Sequence, residues 1–157
     1  MTEGGMDERV RLTGVDEERL LGLAPSGQRC EELRHLCDEH LVAGAADVVS
    51  AVLTLGKQVG VISGGLEIPV RILAAHLGIP PENVRAVPLV FDNDGGYRDF
   101  DRSSPLWRNR GKVEVLSALP PEQRPVLYVG DGVTDLEVKG TADLFVGFGG
   151  VAVRQPA

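Results

Sequence analysis

The sequence predicts an α/β fold in which a parallel sheet is covered on both faces by helices. Short apolar runs alternate with amphipathic helical stretches, glycine punctuates the ends of both, and two strand-to-helix junctions are tight turns carrying Ser, Gly and Asp. In such a sheet the loops at the strand C-termini gather along one edge, and ligand chemistry belongs there.

Composition sets the outer bounds. With 157 residues, 43% hydrophobic and 25% charged, the chain has the make-up of one compact domain, which excludes disordered and fibrous classes. Lys and Arg total 16 against 23 Asp and Glu, giving a formal net charge of −7 that repels nucleic-acid phosphates and anionic lipid, and no basic patch offsets it. Neither nucleic acid nor membrane is therefore an expected partner. No apolar run approaches the roughly 18 residues of a membrane span, and the opening MTEGGMDERV is acidic and polar, unlike a signal peptide. Cys30 and Cys37 are the only cysteines, too few for a disulfide framework, so a reducing cytoplasm is expected.

Taken in order, residues 1–27 are charge-rich and read as partial helices punctuated by Gly14, Gly22, Pro25 and Gly27. From Gln28 to Leu41, Leu33, Leu36, Cys37 and Leu41 recur at helical spacing and form one apolar stripe. A second helix runs from about Ala45 to Leu55 and stops at Gly56. Lys57 to Ile62 reads as a strand, broken by Ser63-Gly64-Gly65, after which a helix spans about Glu67 to Leu77 and closes at Gly78. Val84 to Phe91 and Tyr97 to Phe100 flank Asp92-Asn93-Asp94-Gly95-Gly96, a composition suited to a hairpin turn. A helix follows from about Gly111 to Leu119, then a buried strand Val126 to Val129, the turn Gly130-Asp131-Gly132, a helix Thr134 to Lys139 and a last strand Leu144 to Val146.

Three groups on the expected sheet edge can carry chemistry. Ser63, Gly64 and Gly65 supply a hydroxyl and accessible backbone N–H groups at a strand-to-helix turn, which either cradles phosphate or is simply a turn. Asp131 follows a strand directly and Asp135 lies about one helical turn later, a spacing suited to a hard divalent cation such as Mg²⁺; the alternative is that Asp131 only caps the next helix. Lys112 sits at the beginning of a helix, where the dipole disfavours a cation, and so has some reason other than helix stability to be there; the alternative is a solvated surface lysine, above which only the company of the Ser63 loop and the Asp pair raises it. The Cys30, His35, Cys37, His40 group is not read as a zinc site, because Cys30 and His35 on one helix point about 140° apart. His76 reads as a helix-end residue.

Val61-Ile62-Ser63-Gly64-Gly65, Gly111-Lys112 and Gly130-Asp131-Gly132-Val133-Thr134-Asp135, in that order, resemble motifs two, three and four of the haloacid dehalogenase superfamily, with the greatest likeness to phosphoserine phosphatases. The resemblance covers nearly everything from Gly44 to Gly150. It implies a three-layer Rossmann-like core over 44–157 and the remnant of a helical cap with its linker over 1–43. It further implies a phosphatase of small phosphomonoesters such as phosphoserine, serving serine biosynthesis through Mg²⁺-assisted aspartyl-phosphate chemistry. Carried onto this sequence, Ser63, Gly64 and Gly65 would bind phosphoryl oxygens and Lys112 would offset charge on the phosphoryl group and nucleophile. Asp131 and Asp135 would form the metal site, and Arg9 stands near the place of a cap arginine that grips a substrate carboxylate.

The family's first motif, an apolar strand ending in Asp-x-Asp well ahead of Ser63, has no counterpart; Asp7, Asp16, Asp38 and Asp47 are isolated. Leu89 to Gly95 has the right form but falls after motif two, where a hairpin is expected, so Asp92 and Asp94 are read as turn residues. The expectation is a fragment incomplete at both ends, lacking the sheet's first strand and its nucleophile, and inactive as given. Two alternatives stay open: a non-catalytic phosphate-binding or interaction module, and a related phosphatase for another small phosphomonoester.

Overall fold

The structure, a computed structural model, describes residues 39–94 and 97–149. Arg9, Cys30, His35, Cys37 and nearly all of the 1–43 segment lie outside the described residues; of the 28–41 helix only positions 39–41 are described, 39 and 40 helical and 41 a bend.

Helix α1, Ala45–Thr54, ends at Leu55, and Gly56 then takes φ 69, the left-handed turn its sequence anticipated. Strand β1 spans Val61–Leu66 and pairs in parallel with β2, Val84–Val87. Here the expectation needs correction: Ser63-Gly64-Gly65 does not break the strand. The backbone stays extended to Leu66, with an irregular register between Ile62 and Leu66, because Leu66 pairs with Val87 and both side chains are buried. Helix α2, Glu67–His76, follows at once, with Arg71 paired to Glu67 one turn back at 2.6 Å.

The apolar run from Val84 to Phe91 is likewise not one strand. Pro88 has no N–H for a ladder, and the run divides there into β2 and β3, Leu89–Phe91. Strand β3 pairs antiparallel with β4, Tyr97–Phe100, so the expected hairpin is present. Asp92 accepts the Asp94 N–H at 3.0 Å, an Asx-type turn with both carboxylates exposed.

A 3₁₀ turn at Pro105–Trp107 leads to α3, Gly111–Ser117. Strand β5, Leu127–Gly130, is followed by α4, Val133–Leu136, which tightens into a 3₁₀ turn at Glu137–Gly140 instead of continuing as α-helix. Strand β6, Leu144–Gly147, returns parallel to β5.

The described strands make three two-stranded sheets, not one continuous parallel sheet. No ladder among the described residues joins β1 to β5, the position for which the family resemblance implied a missing strand. The halves meet through side chains: Ile62 packs against the cluster of Leu66, Val87, Phe100 and Leu106 and also against that of Leu116, Tyr128 and Val138. Leu116, Val87 and Val138 are the largest fully buried side chains, each contributing about 1.5–3 kcal/mol by burial. Cover on both faces also needs correction, since Leu127 and Val129 stand 57% exposed on β5 while Tyr128 between them is buried. Alternation places the first two on the outer face, beside Leu144 and Val146 of β6 in direct register. No helix of the described residues is long and apolar enough to cross a membrane.

Candidate functional site

Three segments far apart in sequence meet where β1, α3 and β5 end or begin. In the second half of β1, the Ser63 hydroxyl accepts the Gly65 N–H at 3.0 Å, which fixes the side chain within its own turn. Gly64 faces a cavity of about 300 Å³ whose other walls are the 106–112 segment, Thr134 and Glu137. A β-carbon at Gly64 would stand 3.2 Å from the Leu106 carbonyl oxygen, so glycine lets the Pro105–Trp107 turn lie close over the strand.

Lys112 also lines this cavity, and the structure supplies the reason for a cation at the start of α3. Its Nζ donates to Asp135 Oδ1 at 2.6 Å, in a pair whose side chains are 16% and 8% exposed. The Tyr128 hydroxyl donates to the same oxygen at 2.7 Å, and the Gly132 N–H donates to Asp135 Oδ2 at 2.9 Å. Asp135 thus caps α4 from its third position while holding β5 and α3 together. Burial alone would raise its pKa, but the bonds from Lys112, Tyr128 and Gly132 together hold the carboxyl below its ordinary value. Tyr128 is displaced the other way: burial, and then the hydrogen bond to the Asp135 carboxylate, push its hydroxyl well above the usual tyrosine range.

Asp131 is different in kind. It is exposed and makes no hydrogen bond or ion pair among the described residues. No group of three or more His, Cys, Asp or Glu that could hold a metal occurs among the described residues. Of the two expected metal ligands, Asp131 is open to a cation that retains most of its waters, whereas both Asp135 oxygens are engaged by protein donors. That leaves Asp131 as the carboxylate of the pair with no protein donor on it among the described residues.

The cavity therefore brings together Gly64 and Lys112 of the expected site, while Ser63, Gly65, Asp131 and Asp135 stand outside its lining. Tyr128, Trp107, Arg110 and Glu137 escaped the sequence reading. Tyr128 looked like any strand residue, and its bond to Asp135 depends on α4 folding back over β5. Trp107 and Arg110 lie in a segment that offered only loop signals, although Gly111 after them marked a close approach.

A profile of the haloacid dehalogenase-like hydrolase family matches residues 6–138. Human phosphoserine phosphatase is 35% identical over 157 residues, covering 99% of this chain and 70% of the relative. The phosphoserine phosphatase of Drosophila melanogaster is 36% identical, with 98% of this chain and 58% of the relative covered. Among solved structures, a phosphoserine phosphohydrolase-like protein from Francisella tularensis superposes with a TM-score of 0.66 at 26% identity, covering 87% of this chain and 64% of that one. On the extent of the family match and the near-complete cover by its relatives, the chain belongs to the haloacid dehalogenase-like hydrolases, as a phosphoserine phosphatase-like member with an α/β Rossmann-like fold.

Proposed function

We propose that this chain carries the phosphate-binding and metal-facing half of a phosphatase for small phosphomonoesters such as phosphoserine, within serine biosynthesis. The observation that carries the reading is the meeting of Gly64 and Lys112 at one cavity, with Lys112 anchored on Asp135 of the fourth motif. In this reading the Gly64 amide and Ser63 hydroxyl bind phosphoryl oxygens, with Gly65 giving the backbone room to approach. Lys112 adds positive charge from its pair with Asp135. Residues 1–43 are the cap remnant, where Arg9 meets the substrate carboxylate, and 44–157 the core. The cysteine-poor sequence supports the cytoplasm as its compartment.

Mg²⁺, when bound, would neutralise charge on the phosphoryl group as a Lewis acid. Asp131 would hold it, and Asp135 would keep the Gly130–Gly132 turn in place through the Gly132 N–H. Adding Mg²⁺ is expected to raise the melting temperature of the wild-type chain and to leave that of Asp131→Asn unchanged. An equal rise in the variant would remove Asp131 from the metal site.

These 157 residues hold no Asp-x-Asp at the end of an apolar strand ahead of Ser63, so the reading predicts binding of a phosphomonoester without turnover. Phosphate release from phosphoserine with Mg²⁺ tests this on the chain and on an Asp92→Asn, Asp94→Asn double variant. The expected result is no release by either. Release by the original that disappears in the variant would make the hairpin aspartates the reacting pair and overturn it.

A further inference from the structure

The cavity carries three cationic side chains and one carboxylate, Glu137, on its walls. Arg108, Arg110 and Lys112 line it, on a chain whose formal net charge is −7. Two of these cations are already engaged. Arg108 makes a two-pronged pair with Glu114, its Nη1 and Nη2 donating at 2.7 and 2.9 Å, and Lys112 is bound to Asp135 at 2.6 Å. Arg110 is exposed at the cavity, and its guanidinium makes no hydrogen bond or ion pair among the described residues.

The backbone of Arg110 is held with unusual care. It takes φ 63, the left-handed region that glycine occupies most easily, and it is the only non-glycine residue at positive φ among those described. The Glu137 carboxylate accepts its N–H at 2.8 Å from the far side of the cavity, across 27 residues of sequence. That carboxylate bonds the backbone N–H and makes no ion pair with the guanidinium, whose own donors are left without a partner among the described residues. On the following residue, a β-carbon at Gly111 would stand 1.9 Å from the Pro105 carbonyl oxygen, so the backbone at 110–111 cannot relax by shifting towards that turn.

From this arrangement we infer that Arg110 is the cation with which the cavity recognises a phosphomonoester dianion, and that Glu137 is a positioning residue that locks Arg110 in its left-handed conformation. A guanidinium can meet two phosphoryl oxygens with two parallel N–H donors, which an ammonium cannot. The inference deepens the proposed function and rests on it: Lys112 stays the partner of Asp135, and Arg110 brings guanidinium donors that no described residue engages.

Titration calorimetry with inorganic phosphate, on the full chain at two salt concentrations, tests both halves. The wild type is expected to bind, more weakly at the higher salt. Arg110→Ala is expected to bind at least about tenfold more weakly with most of the salt dependence lost, and Arg110→Lys, which keeps the charge but not the fork, to fall between. Glu137→Ala is expected to weaken binding several-fold, whereas Glu137→Gln, whose amide oxygen still accepts the Arg110 N–H, is expected to restore it. Each variant is checked by a thermal melt, because residues 110 and 137 are both exposed and a shared loss of fold would show as a lowered midpoint. Unchanged phosphate affinity in Arg110→Ala or Arg110→Lys overturns the role of Arg110 and leaves the proposed function standing. Unchanged affinity in Glu137→Ala overturns the positioning role alone. A wild-type chain that binds no phosphate overturns the proposed function, and the inference with it.

Discussion

Truncating Asp135 to alanine is expected to destabilise the fold by about 3–5 kcal/mol, the range for removing one partner of a buried ion pair. Asp135 is 6% exposed and takes donors from Lys112, Tyr128 and Gly132. Its loss leaves the Lys112 ammonium and the Tyr128 hydroxyl without their acceptor in a largely buried site, and strips α4 of its cap. Urea unfolding of the variant against wild type measures the cost. A second change, Lys112→Met, made in the Asp135→Ala background is expected to recover part of the loss, because an apolar chain needs no counter-ion. A cost below about 1 kcal/mol, or no recovery in the double variant, would show that the pair is not what joins α3 to β5.

The same carboxylate sets a pH dependence. Its pKa is lowered in the folded state, so its contribution is complete above the unfolded value near pH 4 and disappears as pH falls through the lower folded value. Wild-type stability should therefore drop across the acid range below about pH 4, and Asp135→Ala should show a shallower drop over the same window.

Gly111→Ala is the second substitution expected to be severe. The added β-carbon would lie 1.9 Å from the Pro105 oxygen, 2.5 Å from the Pro105 carbonyl carbon and 3.0 Å from the Leu106 α-carbon. All three are backbone atoms of the Pro105–Trp107 turn, so no side chain can swing aside, and either α3 or the turn must move. An overpacking cost at or above about 3 kcal/mol is expected, equivalent to a fall of roughly 6–12 °C in melting temperature for a chain of this size. A fall of less than about 2 °C would mean that α3 is free to slide along the turn.

Much of this fold was legible because its punctuation is local. Gly56, Gly78 and Gly95-Gly96 marked helix ends and a hairpin, and the periodicity of residues 45–55, 67–77 and 111–119 placed three helices to within three residues. What misled was local too. Glycines at 64 and 65 signalled a break, yet the pull that keeps β1 extended comes from Val87, more than twenty residues away. The six-residue helix expected at 134–139 instead became four helical residues and a 3₁₀ turn. At the site, Ser63, Gly64, Lys112, Asp131 and Asp135 stood out by type and spacing. Tyr128 and Glu137 did not, because nothing beside them in sequence shows which partner the fold delivers.

Ile62 touches both apolar clusters while no ladder among the described residues joins the two parallel strand pairs, so between the strands themselves the tie is dispersive and not directional. Hydrogen-bonded ladders open together; a packed side chain can slip by small steps. The two strand pairs are thus expected to open separately, with amide exchange resolving two protection classes, one for β1 and β2 and one for β5 and β6. The turn at Gly64 and the carboxylate hub at Asp135 fall on opposite sides of that seam, and the Lys112–Asp135 pair and the Arg110–Glu137 hydrogen bond tie the 110–112 segment beside Gly64 to the Asp135 side.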